Sequence, residues 1–278
     1  MIPTLLSWRE SAVVLDIKGE TWERTAGWRV GHAGQRVIRF DPTDSESARY
    51  NPLAAIRLET PHEIADAQNI ATMLVDPQGR GVERDHWAQT AWSLLVGAIL
   101  HVCYRERRRG GLGTLSQVAE ELTNSESGDL SEIMEGWLCF PHRGGEDGCE
   151  RSRGATPTHP VVAATAREMQ QRTPKEASSV LSSALALLTL YRDPLIARAT
   201  GQSDFRVDDL VDPTQPTTVY LVIPPRDLTR VRPLVRLMVD QIVRGLTLNL
   251  PSEVRRGNDS ALTRLLQLFN SRNQALPE

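Results

Sequence analysis

The only lysines in the chain are Lys18 and Lys175, so a lysine-based phosphate site can be tested at two positions. A phosphate-cradling loop of the type G-x-x-x-x-G-K-[ST] supplies backbone amides, a cation and a hydroxyl for Mg²⁺. Lys18 follows Ile17 and Lys175 follows Pro174, and neither lies in such a loop. What remains for nucleotide chemistry is Val13-Val-Leu-Asp16, an apolar run that ends in an acid, as strands that present a carboxylate to Mg²⁺ do. Asp16, Lys18 and Glu20 are therefore the candidates for cofactor contact, and the alternative is that Asp16 simply ends a strand. Cys139-x2-His142, with Cys149 and His159 downstream, offers four potential metal ligands, but the spacing matches no standard zinc pattern. No G-x-S-x-G elbow or H-E-x-x-H helix occurs, the six histidines are scattered, and His86 beside Trp87 reads as a structural residue. No catalytic and no metal-binding residue is assigned. Arg105, Arg107, Arg108 and Arg109, followed by Gly110-Gly111, form the densest basic cluster. Forked guanidinium groups can grip phosphates, which makes these four the candidates for nucleic-acid contact. The competing reading is a solvated helix end, where the dipole favours cations.

The elements that must position these residues follow from periodicity and punctuation. Ala12–Ile17 and Val37–Phe40 are short β-branched runs closed by Lys18-Gly19-Glu20 and Asp41-Pro42, with a helix-compatible stretch from Glu20 to Trp28 between them. They read as a strand, a helix and a strand of a parallel βαβ unit. A third strand, Thr218–Ile223, stopped by Pro224-Pro225, lies far downstream. The chain between is helical. Thr60-Pro-His-Glu63, Thr114-Leu-Ser-Gln117 and Thr173-Pro-Lys-Glu176 are capping boxes, and Asp129-Leu-Ser-Glu132 is a looser relative. Ala177, Val180, Leu181, Ala184, Leu185 and Leu188 share one helix face. From Asp85 to Arg105, Trp87, Ala91, Leu94, Leu95, Ala98, Ile99 and Val102 make a helix apolar over most of its circumference, expected at the centre of a bundle. Pro141 to His159 has no periodicity and reads as a mobile surface loop. Asp227 to Leu250 is helical again, with Val235, Val239, Ile242, Val243 and Leu246 on one side.

The expected architecture is an α/β domain interrupted by a helical insertion, with residues 1–58 and 205–278 in the α/β part and 59–204 in the insertion. The 278 residues, 40% hydrophobic and 24% charged, suit globular folding. The net charge of -3 supplies no whole-molecule attraction to nucleic acid or to an acidic membrane. Three cysteines at irregular spacing read as reduced thiols in a cytoplasmic setting. The most apolar run, Leu94–Cys103, is too short to span a bilayer.

Taken in order, Pro3-Thr-Leu-Leu-Ser-Trp8, Val13-Val-Leu-Asp-Ile-Lys-Gly-Glu20, Arg39-Phe-Asp-Pro42, Arg49-Tyr-Asn-Pro-Leu53 and Asp85-His-Trp87 resemble the conjugative coupling proteins of type IV secretion systems, the TraG and VirD4 family. His159-Pro-Val-Val162, Tyr191-Arg-Asp-Pro194, Ser203-Asp-Phe205 and Tyr220-Leu-Val-Ile-Pro-Pro225 continue the similarity to about Leu250. The resemblance implies a RecA-like, P-loop NTPase type parallel sheet with an all-α insertion, from a homo-hexameric ATPase at the cytoplasmic face of the inner membrane. With ATP and Mg²⁺, such proteins couple a relaxase, its relaxosome and its single-stranded DNA to the secretion channel. The family's membrane helices and P-loop have no counterpart before Pro3, and Asn270 and the polar tail replace the acids that follow the strand resembling Arg264-Leu-Leu-Gln-Leu-Phe269. The expectation is an incomplete RecA-like sheet, no ATP hydrolysis by this chain alone, and poor solubility or dependence on a partner. A nucleotide-independent adaptor whose helical domain binds relaxosome protein or DNA is the alternative.

Overall fold

The computed structural model describes residues 1–76, 86–123, 130–143 and 158–248. They form two compact units. Among them, one unit comprises Met1–Arg39, Phe205–Pro225 and residues 234–248; the other comprises the described residues of Phe40–Asp204 and Arg226–Pro233.

The first unit is α/β. Helix α1 (Ile2–Ser7) leads to strand β1 (Ala12–Asp16), helix α2 (Glu20–Gly31) and strand β2 (Arg36–Phe40). Strand β3 (Thr217–Val222) returns from far downstream and lies between the other two, giving the order β1-β3-β2. β1 and β3 run parallel, with Ala12 opposite Thr218 and Asp16 opposite Val222. The strand, helix and strand expected at the start are present in one sheet, with β3 lying between β1 and β2. β3 is buried at all six positions, as a strand flanked on both sides must be, and its unbroken apolar and threonine run suits that place. On one face of the sheet Val14, Tyr220 and Val222 pack with Leu5 of α1 and Ala26 of α2.

The second unit is helical. Its members are α3 (Glu63–Val75), α4 (His86–Arg108), α5 (Leu115–Glu121), α6 (Leu130–Cys139), α7 (Pro160–Gln171), α8 (Pro174–Leu188) and α9 (Pro194–Ala199). α4 is the axis: it packs on α3, α5, α7 and α8, and Leu94, Leu95, Ala98, Ile99, Leu100 and Val102 are fully buried. Trp87, expected on the apolar face, is instead 44% exposed in the first turn. Gly97 lets α7 approach closely, since a Cβ there would lie 2.8 Å from the Thr165 side chain. The strand exit from Phe40 on is tied to the helical unit. Tyr50 N–H donates to Ala199 O at 2.8 Å, Asp204 N–H donates to Arg49 O at 2.9 Å, and the Arg49 guanidinium grips Asp204 through two hydrogen bonds.

Helix α10 (Leu228–Leu248) starts in the helical unit and continues in the α/β unit. Its buried residues are Val231, Leu234, Val235, Arg236, Leu237, Met238 and Ile242, while Val239, Val243 and Leu246 are only half-buried. The inner stripe is thus rotated from the expected one. Gly245 fixes the rotation: a Cβ there would meet Val207 Cγ1 at 2.6 Å, so this side of the helix lies against the turn Val207–Leu210.

Capping boxes at Thr114 and Thr173 are formed as the spacing predicts. Thr60 does not cap α3. Its hydroxyl donates to Arg57 O and accepts from the His62 amide, so a tight turn precedes a helix that begins only at Glu63. Asp129 lies outside the described residues. Among the described residues no helix is long and apolar enough to cross a membrane.

Candidate functional site

At the end of β1, Asp16 is buried and both its carboxylate oxygens accept backbone hydrogen bonds, from Gly19 N at 3.0 Å and from Trp22 N at 2.7 Å. Gly19 holds φ 76°, a left-handed conformation that favours glycine, and this turn swings the first amides of α2 toward the strand end. The N-cap residue of α2 is Gly19, and Asp16, three residues before it, takes the Trp22 amide of the first turn, where a negative charge also suits the helix dipole. Lys18 and Glu20 are exposed on either side of the turn. Both oxygens of the Asp16 carboxylate are thus engaged by backbone amides, with one exposed lysine beside the turn.

The arginines at the end of α4 have partners within the chain. Arg105 bonds Glu106 at 2.9 Å and also Glu121, and Arg109 reaches Glu106 at 3.1 Å. Arg107 pairs with Glu59 at 2.7 Å. Arg108 donates to Pro141 O at 2.9 Å and lies over the Phe140 ring. Arg105 is an internal tie at 19% exposure, whereas Arg107 and Arg109 keep 51% and 66% of their side-chain surface.

A buried polar cluster inside the helical unit escaped the sequence reading, because its members are dispersed from residue 63 to 159. Glu63, on the first turn of α3, accepts from Tyr104 Oη at 2.5 Å, Glu59 N at 2.9 Å and Arg143 at 3.0 Å, and contacts His159 Nε2 at 3.0 Å. Burial alone raises its pKa, but Tyr104, the Glu59 amide and His159 together hold it below the ordinary carboxylate value. His159, fully buried, is the N-cap of α7. Its backbone N–H donates to His142 Nδ1 at 3.3 Å, and His142 Nε2 lies 3.0 Å from His101 Nδ1. His101 stacks on Trp137 of α6, with ring centroids 5.2 Å apart and planes 18° apart, and its Nε2 faces Glu121 at 3.5 Å. Burial holds His101 well below the usual imidazole value and lowers His142 to about 4, while His159 is lowered despite its carboxylate neighbour.

His142 and His159, considered as metal ligands from their spacing, do meet, but as members of a hydrogen-bond chain. Among the described residues no group of three or more His, Cys, Asp or Glu is placed to hold a metal. Cys149 lies outside the described residues. Cys103 is a buried free thiol, but Cys139 is disulfide-bonded, so the expectation of reduced thiols fails for Cys139. His142, Thr158 and His159 are buried, so the ends of the expected surface loop belong to the core. His86 packs edge-on against Trp87.

Among the described residues the fold is thus α/β, with a three-stranded sheet interrupted in sequence by an all-α unit. The family model described as type IV secretory system conjugative DNA transfer matches residues 1–266, and the chain belongs to that family. It is 44% identical over 247 residues to the conjugal transfer protein TraG of Escherichia coli, an alignment that covers 88% of this chain and 37% of that protein. It is 31% identical over 264 residues to VirD4 of Agrobacterium fabrum, covering 92% of this chain and 35% of that one. The chain therefore spans little more than a third of the length of these relatives. Among solved structures, the plasmid coupling protein TrwB in complex with ADP and Mg²⁺ superposes with a TM-score of 0.47 at 19% identity, covering 87% of this chain and 54% of TrwB.

Proposed function

We propose that the chain is part of a conjugative coupling protein, and that the whole protein is an ATP- and Mg²⁺-dependent DNA-translocating ATPase. It links a relaxase and its single-stranded DNA to a type IV secretion channel, acting as a homo-hexamer at the cytoplasmic face of the inner membrane. The observation that carries this reading is the family match over residues 1–266 together with 44% identity to TraG. On this reading residues 1–58 and 205–278 belong to the RecA-like nucleotide-binding domain and 59–204 to its helical insertion.

The 278-residue chain alone does not turn over ATP. Phosphoryl transfer rests on positioning the phosphates and the metal, and the sequence has no phosphate loop while Asp16 is engaged by backbone amides. Steady-state phosphate release by the purified chain should equal the blank. Turnover that co-purifies with the chain and persists across preparations contradicts the proposal.

A nucleotide-independent adaptor role is favoured by one observation, the exposure of Arg107 and Arg109 on the helical unit. On that reading the chain binds single-stranded DNA in a salt-dependent way, and replacing Arg107, Arg108 and Arg109 by Gln lowers both the affinity and the salt slope. Fluorescence anisotropy with a labelled oligonucleotide at several salt concentrations decides it, since unchanged binding by the triple variant excludes the cluster.

A further inference from the structure

The histidine cluster of the helical unit takes no part in the function proposed above, and its hydrogen bonds determine where each ring carries its proton. Val161 N–H donates to His159 Nδ1 at 3.2 Å, so that nitrogen holds a lone pair and Nε2 carries the hydrogen that is given to Glu63. His159 N–H donates to His142 Nδ1, so His142 likewise carries its hydrogen on Nε2 and gives it to His101 Nδ1. His101 Nε2–H is then left facing Glu121. All three rings are neutral Nε2–H tautomers, in two chains that end on carboxylates.

This arrangement has no room for a second proton. Added to His159 or His142, it would sit on an Nδ1 that faces a backbone N–H; added to His101, it would face the Nε2–H of His142. In each case a donor would meet a donor, so protonation must break the contact. The broken contacts are those that hold the end of α6 to the start of α7. Thr158 Oγ1 bonds Leu138 O at 2.8 Å and Phe140 O at 3.2 Å, and Arg143 and Arg108 hold the same connection to Glu63 and from α4.

We propose that the His101, His142 and His159 relay is an acid-sensitive latch that keeps the end of α6 and the start of α7 closed on α3 and α4 while the rings are neutral, and opens when His142 or His159 gains a second proton. The groups facing the rings are Glu63 from α3, Tyr104 and Arg105 from α4, Glu121 from α5, and Arg143 from the segment after α6; α6 itself contributes the non-titrating Trp137. Glu106, Arg108 and Arg109 flank the relay on the α4 side. The two carboxylates favour imidazolium and the two arginines oppose it, while burial, the largest influence on every ring, opposes it too. The latch therefore opens below neutral pH.

Two measurements on the full chain test this. Ring ¹⁵N shifts at pH 7.5 should report the Nε2–H tautomer for all three histidines; an Nδ1–H tautomer for His142 or His159 overturns the proposal. Hydrogen exchange, corrected for the intrinsic pH dependence, should then show at least a tenfold rise in opening over residues 138–143 and 158–163 between pH 7.5 and 5, with the middle of α4 still protected. Continued protection of those residues, or their loss of protection together with β1 and β3, overturns it as well. His159→Gln keeps a donor for Glu63 but cannot titrate; the acid response at the start of α7 should shrink at least threefold, and an unchanged response counts against the latch.

Discussion

Asp16 and Arg29 show how single side chains hold the α/β unit together. Asp16 accepts from the Gly19 amide of the turn and from the Trp22 amide of α2, so Asp16→Ala should lower stability by about 1–2 kcal/mol, whereas Lys18→Ala and Glu20→Ala, both exposed, should fall within about 0.5 kcal/mol of the parent. Urea denaturation followed by far-UV circular dichroism distinguishes the two outcomes, and a neutral Asp16→Ala would return the carboxylate to the list of functional candidates. Arg29 is fully buried on α2 and donates to Leu5 O at 2.5 Å, Trp8 O at 2.9 Å, Glu10 O at 2.9 Å and Thr218 Oγ1 at 2.9 Å. Its guanidinium ties carbonyls of α1 and of the segment that leads from α1 to β1. Thr218 in turn bonds Gln35, whose amide donates to Arg9 O and Glu10 O, so one polar knot fixes the entry of the chain into the sheet. None of this was visible in the sequence, where Arg29 is one arginine among many; only the fold puts it opposite carbonyls.

At the scale of the element, the helices were legible where the information is local. Thr114 and Thr173 sit three residues before Gln117 and Glu176, and both boxes close within one helical turn. The same spacing at Thr60 misled because Glu63 has a stronger use for its carboxylate, in the interior with Tyr104 and His159. Tertiary bonding overrode the local motif. Close helix contact gives a second test. In Gly97→Ala the new methyl would overlap Thr165 between α4 and α7, so the variant should lose about 1–3 kcal/mol despite the better helix propensity of alanine. Gly27→Ala on α2, where nothing lies within 4 Å, should instead gain up to about 1 kcal/mol. Thermal melts of the two variants should move in opposite directions; a shared sign means that propensity, not the α4 to α7 crossing, dominates.

For the whole molecule, the buried titratable groups make folding pH-dependent in one direction. His101, His142 and His159 have folded pKa values below the ordinary 6.5, so below that pH the unfolded chain binds protons that the folded chain refuses. Stability is therefore lost progressively from about pH 6.5 down toward the value of about 4 reached by His142. Glu63, held below 4.5, adds a loss of the same sign at the lower end of that window, as its stabilising charge is neutralised. The urea midpoint should fall steadily from pH 7 to pH 5. A midpoint that is flat or rises over that interval contradicts neutral burial of the three rings. The helical character of the second unit and its return to a sheet were expected from periodicity, but the place of β3 between β1 and β2 was not, because strand order depends on contacts between residues far apart in the chain.

The sequence by itself determined the strands, most of the helices and their caps, and the family, since these depend on residue type at short spacing or on ordered short motifs. Only the tertiary structure decided that Asp16 holds the turn into α2 and that three scattered histidines form one relay. The same holds for the inner face of α10 and for the strand that lies at the centre of the sheet. Each of these depends on which groups lose contact with water together, and burial joins residues whose separation along the chain carries no pattern.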